Sequence, residues 1–300
     1  MKLSCAWTPV CPATTARQAR KKPVSVDIHG QKLNVFWDTR KDRPGAVLGS
    51  CWHRGASLSE GTVKGDCIVC GYHGKKTRSV RPTSLRVHQE IVWWNDEHDV
   101  SQDTIPQSWE FDESASHRIH VYTEDFEGCS PLHMVENTVD WNHLAHVHAI
   151  SAIDGHPEVI IRSPTRADYR YNTKVDGNTL TVQNEFWAPY STCLRFYFNE
   201  TTHLFSLHFA WVPHSLDRCG CIVRVTRSSD SWTGRVGDMV LQLVNMLPLD
   251  EDRRIVRSID TGRLWSDDKL DAREDAFLKM YRDSVEIDFP EIAKMYTSIL

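Results

Sequence analysis

Cys51-Trp52-His53 and, after sixteen intervening residues, Cys70-Gly71-Tyr72-His73 decide how this chain is read. Each stretch offers one thiolate and one imidazole from a short loop. Two such loops suit a two-iron, two-sulfide cluster, with the cysteines on one iron and the histidines on the other. Neutral imidazoles in place of thiolates raise the reduction potential of such a cluster. Zinc is the rival, because it also accepts Cys and His, and Cys67 stands three before Cys70 as in half a zinc knuckle. The usual zinc spacing pairs Cys with Cys and His with His, whereas each loop here mixes them. Cys67 also falls in the apolar run 67–70, where a thiol behaves as a small hydrophobe.

A second constellation lies in Glu136-Asn137-Thr138-Val139-Asp140-Trp141-Asn142-His143 and continues through His146 to His148. Two imidazoles and one carboxylate on one face of Fe(II) leave the opposite face open for dioxygen and substrate. His143 and His146 are the natural same-face pair on a helix. His143 and His148 lie about 140° apart on an ideal helix, so the helix would have to distort or end between them. The carboxylate must come from far downstream. Asp250, Glu251 and Asp252 are the candidates, and Pro248 predicts a helix start that one of them caps.

The wider composition fits. Three hundred residues make about two domains. An apolar fraction of 40% and a charged fraction of 25% are those of a globular protein. A net charge of −5 with no basic tract argues against nucleic-acid binding, and no apolar run reaches the length of a membrane span. Nine cysteines cannot all pair within one chain, which points to reduced thiols and a cytoplasmic or plastid compartment. The first 26 residues carry no acid, as transit peptides do. Yet Trp7-Thr8-Pro9-Val10 followed by Val24-Ser25-Val26-Asp27-Ile28 reads as the opening strands of a domain.

Strand signals fill 24–28, 33–36, 67–70 and 91–94, and return at 158–161, 179–187, 194–198, 204–212 and 221–225. Helical patterns occupy 132–150, 236–246, 250–259 and 269–285, with Pro248 predicted to break the penultimate pair. The expected organisation is a β-rich domain over 1–115 and an α+β domain over 116–300. Cys219-Gly220-Cys221 is expected at a strand turn, too tight for an unstrained disulfide. Trp187, Phe196, Phe198, Phe205, Phe209 and Trp211 alternate along the later strands as core, with one face free to line an apolar cavity.

His53-Arg54-Gly55-Ala56-Ser57-Leu58-Ser59-Glu60-Gly61 and Tyr72-His73-Gly74 resemble the two cluster loops of the Rieske family. Trp52 and Gly71 stand where Pro is common in that family, and Lys75 where Trp is common. Asn137-x-x-Asp140-x-x-His143-x4-His148 resembles the iron motif of Rieske non-haem iron oxygenases, in which the five-residue step is the rule. The resemblance therefore implies His143 and His148 as ligands, leaving His146 as a pocket or supporting imidazole. The pattern Glu251-Asp252-Arg253-x-x-Val256 resembles the family's third-ligand helix and points to Asp252.

The resemblance to the catalytic α subunit extends over nearly the whole chain, and its implications are specific. The fold would be an N-terminal Rieske [2Fe-2S] domain plus a catalytic domain of helix-grip type, a curved antiparallel sheet wrapped by helices. Cys51, His53, Cys70 and His73 would hold the cluster, and His143, His148 and Asp252 a mononuclear Fe(II). Asp140 would be hydrogen-bonded to His143 and to His73 of the partner subunit, carrying electrons across a subunit boundary in a homotrimer. The activity implied is hydroxylation or oxidative demethylation of a small organic substrate with O2, ahead of ring dihydroxylation. The chain has neither a dinucleotide fingerprint nor a plant-type ferredoxin run, so electrons would come from a separate NAD(P)H-dependent flavin or ferredoxin reductase. Lys75, Lys76, Arg78, Arg81 and Arg86 could dock an acidic donor. The alternative is a Rieske electron carrier with a ligand-binding domain and no catalytic iron, and a zinc-stabilised binding protein is a third reading.

Overall fold

In a computed structural model of the chain, the described residues are 6–79, 84–95, 105–106, 117–148, 154–163, 165–175, 178–228, 235–259, 268–271 and 275–297. The chain divides into two compact units, 1–107 with 212–215 and 108–211 with 216–300.

The first unit contains three small antiparallel sheets. Strands β2 (Val24–Ile28), β3 (Gln31–Asp38) and β4 (Arg43–Leu48) form one, and β5 (Thr62–Lys64), β6 (Cys67–Val69) and β7 (Lys76–Arg78) another. The third has β9 (Ile91–Trp94) between β1 (Thr8–Pro12) and β8 (Leu85–His88). Proline cannot donate to a ladder and is confined to edges and bulges. Accordingly β1, with Pro9 and Pro12, is an edge strand whose register shifts between Pro9 and Cys11. The stretch 7–10 thus belongs to the fold, as expected, and a short helix α1 (Ala13–Gln18) follows it.

Phe36, Val47, Leu58, Val63 and Ile68 form one buried cluster that includes Cys51 and Cys70. Gly61 is required there, because a Cβ would come within 2.5 Å of Ile68 Cγ2 and 2.8 Å of Val69 O.

The second unit is built on a seven-stranded sheet in the order β10-β16-β15-β14-β13-β12-β11. Six consecutive strands, β11 (Asp154–Ser163), β12 (Arg166–Val175), β13 (Asn178–Trp187), β14 (Ser191–Phe198), β15 (Thr202–Pro213) and β16 (Arg218–Ser228), meander across it, and β10 (His117–Glu127) closes on β16. Side chains alternate between the two faces of a strand. One cross-strand row therefore reads Tyr171, Val182, Phe196, Phe205, and the row on the opposite face reads Arg170, Gln183, Arg195, Ser206. Buried on that second face, Arg195 lies 2.8 Å from Glu185, and Gln183 donates to both oxygens of Asp168. Sorting of charge to one face leaves the other apolar.

Between β10 and β11 the chain forms α2 (Pro131–Val139) and the single turn α3 (His143–Val147). Ser130 in extended conformation and Pro131 at the first position start α2, a geometry Pro favours because its missing N–H would be unpaired there anyway. Leu132, Met134, Val135 and Val139 bury its apolar face. The helices α4 (Arg235–Val256), α5 (Ala276–Asp288) and α6 (Pro290–Thr297) complete the unit.

Three sequence-based expectations are corrected. Pro248 does not break the chain into two helices but lies inside the 22-residue α4. A proline removes one N–H and hence one backbone bond, and here the helix continues past it. The helix expected from residue 269 begins at Ala276. Cys219-Gly220-Cys221 lies within β16, not at a turn, and both thiols are buried and free.

Candidate metal centres

The two Cys/His loops are built alike. Cys51 N–H donates to Ala56 O and Gly55 N–H returns to Cys51 O, both at 2.8 Å. In the second loop Cys70 N–H donates to Lys75 O at 2.8 Å and Gly74 N–H to Cys70 O at 2.9 Å. Gly55 and Gly74 have φ of +70° and +66°, a left-handed conformation that glycine adopts without a Cβ clash. Cys51 and Cys70 are buried, whereas His53 and His73 are exposed with ring centroids 5.0 Å apart. The Tyr72 N–H reaches Cys70 Sγ at 3.4 Å and, with the neighbouring Cys51 thiol, holds the Cys70 pKa below the usual thiol value. Two loops that bury their cysteines and expose their histidines side by side suit a cluster with two Cys and two His ligands. Cys67 is not part of it, for its Sγ donates to Lys64 O at 3.2 Å inside the core. Among the basic residues after this loop, Lys75, Lys76 and Arg78 are exposed and Arg86 half-buried, while Arg81 lies outside the described residues.

In the second unit, ligand atoms of His143, His148 and Asp252 lie within 4.8 Å of one another. His148 Nε2 is 3.0 Å and His143 Nε2 3.5 Å from Asp252 Oδ1. That oxygen is buried, yet no hydrogen bond to it has acceptable geometry. Lone pairs that converge without pairing fit a cation held between them, and two imidazoles with one carboxylate are the donor set of non-haem ferrous sites.

Local structure explains the selection of ligands. Helix α3 ends at Val147, and His148 caps it with φ −104° and ψ 4°, so it leaves the helical path and turns back towards His143. His146, still helical, is exposed and takes no part. Helix phase separates the three acids of α4. Asp250 lies 2.9 Å from Arg253, Asp252 is buried towards the histidines, and Glu251 Oε2 sits 2.8 Å from His148 Nδ1. Burial opposes a charged His148, but the adjacent carboxylates of Asp252 and Glu251 prevail and raise its pKa. Burial lowers the pKa of His143 and raises that of Asp140.

Asp140 departs from expectation in one respect. His143 Nδ1 meets its carbonyl oxygen and not its carboxylate, whose Oδ1 accepts the Asn142 N–H at 2.9 Å.

An apolar cavity of about 300 Å³ opens on these three residues. Leu194, Phe196, Phe205, Leu207 and Phe209 form its sheet wall, so three of the six alternating aromatics line it. Phe196 and Phe205 stack with centroids 4.5 Å apart. Trp211 is fully buried, Phe198 is exposed at the strand end, and Trp187 lies beneath the Arg166 guanidinium.

Residues 6–79 match the family model of the Rieske [2Fe-2S] domain. The oxygenase component of 3-ketosteroid-9-alpha-monooxygenase from Rhodococcus rhodochrous is 30% identical over 196 residues, 55% of this chain and 49% of the relative. The vanillate O-demethylase oxygenase subunit of Pseudomonas sp. (strain HR199) is 25% identical over 198 residues, 58% of this chain and 51% of the relative. The chain carries a Rieske domain and is homologous to Rieske oxygenase α subunits. Its aligned part spans about half the length of those two curated relatives. The fold agrees over nearly all residues with that of dicamba monooxygenase bound to dicamba, at a TM-score of 0.79 and 16% identity, covering 97% of this chain and 99% of that one.

Within this Rieske oxygenase homologue, sequence reasoning missed the supports of the second centre. Tyr169, on β12, donates its hydroxyl to Val139 O at the end of α2. Asn184, on β13, donates to Thr138 O at 2.6 Å and to Tyr169 Oη at 2.7 Å, and Phe277 stacks on Tyr169 at 3.8 Å. These side chains pin the helix end from which His143 springs. Nothing in their spacing marks them, because the α2 carbonyls they hold lie 30 and 46 residues away. Glu251 was visible as an acid but not as the partner of His148.

Proposed function

We propose that this chain is a Rieske non-haem iron oxygenase component that uses O2 and externally supplied electrons to hydroxylate or oxidatively demethylate a small organic substrate. The observation that carries this reading is the convergence of His143, His148 and Asp252 on an apolar cavity, in a chain with a Rieske domain. In this reading Cys51, His53, Cys70 and His73 hold the [2Fe-2S] cluster, and His143, His148 and Asp252 hold Fe(II). Ferrous iron so held supplies reductive activation of O2, with two electrons and two protons consumed, one oxygen atom entering a C–H bond and the other leaving as water.

The chain's own residues set the conditions. The buried thiols fix one side of the cluster in the core, and the exposed imidazoles of His53 and His73 offer the path for electrons. Lys75, Lys76 and Arg78 give the adjoining surface a positive charge suited to an acidic donor, in this reading a separate NAD(P)H-dependent reductase or its ferredoxin. Glu251 orients the His148 ring, and the Asp140 carbonyl orients His143. The wall from Leu194 to Phe209 excludes water and holds the substrate by burial of its apolar surface. The proposal includes a homotrimer in which His73 of the partner subunit meets Asp140, supported by the exposure of His73 and the half-burial of Asp140. It also includes a functional boundary near residues 115 and 116 and a cytoplasmic or plastid location.

Anaerobic purification followed by iron, sulfide and zinc analysis and EPR tests the reading. About three irons and two sulfides per chain, with the reduced signal of a His-ligated cluster, are expected. Photoreduced protein given 18O2 and a substrate should then incorporate a single labelled atom. Two irons that no ferrous reloading increases would make the chain an electron carrier, and zinc without sulfide would refute both.

A further inference from the structure

The cavity has a chemical bias that the ligand set alone does not dictate. Among its described lining residues there is neither lysine nor arginine. Its polar lining comes from Asn137, Thr138, Thr173, Asn245 and Tyr171 beside the two histidines and Asp252. Thr138 Oγ1 is committed to Met134 O at 2.8 Å, and Asn245 Nδ2 to Tyr122 Oη at 2.5 Å. Tyr171 is different. Its side chain is buried in the row Tyr171, Val182, Phe196, Phe205 and lines the cavity, and its hydroxyl has no hydrogen-bond partner among the described residues.

The electrostatics follow from these placements. A carboxylate taken from water into an apolar cavity needs a cation or several donors to replace its hydration. The described walls supply no cation, and of their donors Thr138 Oγ1 and one Asn245 N–H are bonded elsewhere. Nor does the metal centre compensate, since the carboxylates of Asp252 and Glu251 together balance a divalent ion and the imidazoles are neutral ligands. On the strands that wall the cavity, Asp168, Glu185 and Arg195 stand on the opposite face, and Arg118 and Arg227 of β10 and β16 are paired with Asp238 of α4. Burial raises the pKa of the Tyr171 phenol, so it stays protonated at neutral pH and serves as a neutral hydrogen-bond donor that brings no positive charge to the cavity.

We propose that the cavity selects uncharged, mainly apolar substrates over carboxylates, and that Tyr171 Oη donates the hydrogen bond that anchors a carbonyl or ether oxygen of the substrate. The proposal rests on the oxygenase reading for the divalent ion that Asp252 and Glu251 balance and for what happens after binding. Both the charge selection and the anchor are properties of the cavity and are measurable without turnover.

The experiment is equilibrium dialysis of purified, iron-loaded protein under nitrogen against three kinds of probe. Benzoate is compared with methyl benzoate, naphthoate with methyl naphthoate, and methylnaphthalene serves as the skeleton without oxygen. Near neutral pH the acids are ionised and the esters are not. Each ester is expected to bind at least about tenfold more tightly than its acid. Tyr171→Phe is expected to weaken methyl naphthoate about five- to tenfold, the effect of one hydrogen bond, and to leave methylnaphthalene unchanged.

Equal binding of acid and ester would overturn the charge selection, and so would binding of neither member of any pair. An ester affinity untouched by Tyr171→Phe would overturn the anchor. The comparison of ester with acid uses unaltered protein, so it stands even where the variant folds poorly. Iron content is measured on the same samples. Ester selection without retained iron would defeat the oxygenase reading alone, and retained iron without ester selection would defeat this inference alone.

Discussion

Glu251 Oε2 lies 2.8 Å from His148 Nδ1, while the Nε2 of the same ring lies 3.0 Å from Asp252 Oδ1. Two consecutive acids on α4 thus grip opposite sides of one imidazole. A carboxylate on the far nitrogen fixes the tautomer and raises the basicity of the nitrogen that faces a metal. Replacement of Glu251 by Ala is expected to weaken Fe(II) or Co(II) binding about 10–100-fold. Glu251→Gln, which keeps an acceptor, should recover part of that loss. Metal titration of the apo second centre, followed by Co(II) absorption, checks both variants.

His143→Ala and Asp252→Ala should each abolish the mononuclear site and leave the cluster intact. Iron content is expected to fall by about one atom per chain with the visible spectrum of the Rieske cluster unchanged. His146→Ala should change neither quantity, since that side chain is exposed and apart from the three ligands. If His146→Ala lost the iron while His148→Ala kept it, the ligand assignment would be wrong.

The first centre separates its cysteines in the same way. Cys51→Ser and Cys70→Ser are expected to yield protein without acid-labile sulfide. Cys67→Ser should retain the cluster, because its sulfur faces the Lys64 carbonyl. Gly61→Ala places a methyl group against Ile68 and two backbone oxygens. It is expected to destabilise the unit by about 1–3 kcal/mol through overpacking, seen as a lower melting temperature and faster cluster loss.

Three histidines outside the metal centres bear on acid stability. Burial lowers the pKa of His29, His133 and His203 from the usual value to about 4. Each is neutral in the folded chain and charges more readily in the unfolded one. Their contribution is fully present above about pH 6.5 and lost as pH falls through about 4, each on the order of 2 kcal/mol across the window. Urea midpoints measured between these limits should fall steadily, and His203→Gln should flatten the slope. A midpoint independent of pH over this range would contradict the burial of all three.

The sequence by itself determined the parts that short-range spacing encodes. Cys51, His53, Cys70 and His73 lie on two tight loops whose own backbone bonds shape them, so residue type and spacing suffice to read the first centre. Strands β13, β14 and β15 were legible for a similar reason, since a period of two in apolar residues reports a buried face directly. The tertiary structure decided what depends on chain segments far apart. His148, not His146, faces His143 because α3 stops after Val147. Asp252 is buried between the two histidines, Glu251 reaches only the far nitrogen of His148 and Asp250 pairs with Arg253, because α4 runs unbroken through Pro248 and sets each acid in a different phase around the helix. The cavity wall needed cross-strand register as well as alternation, for only pairing brings Tyr171, Val182, Phe196 and Phe205 into one row. Spacing describes distance along the chain, whereas a site assembled from α3, α4 and four strands depends on packing that places residues a hundred positions apart within hydrogen-bond reach.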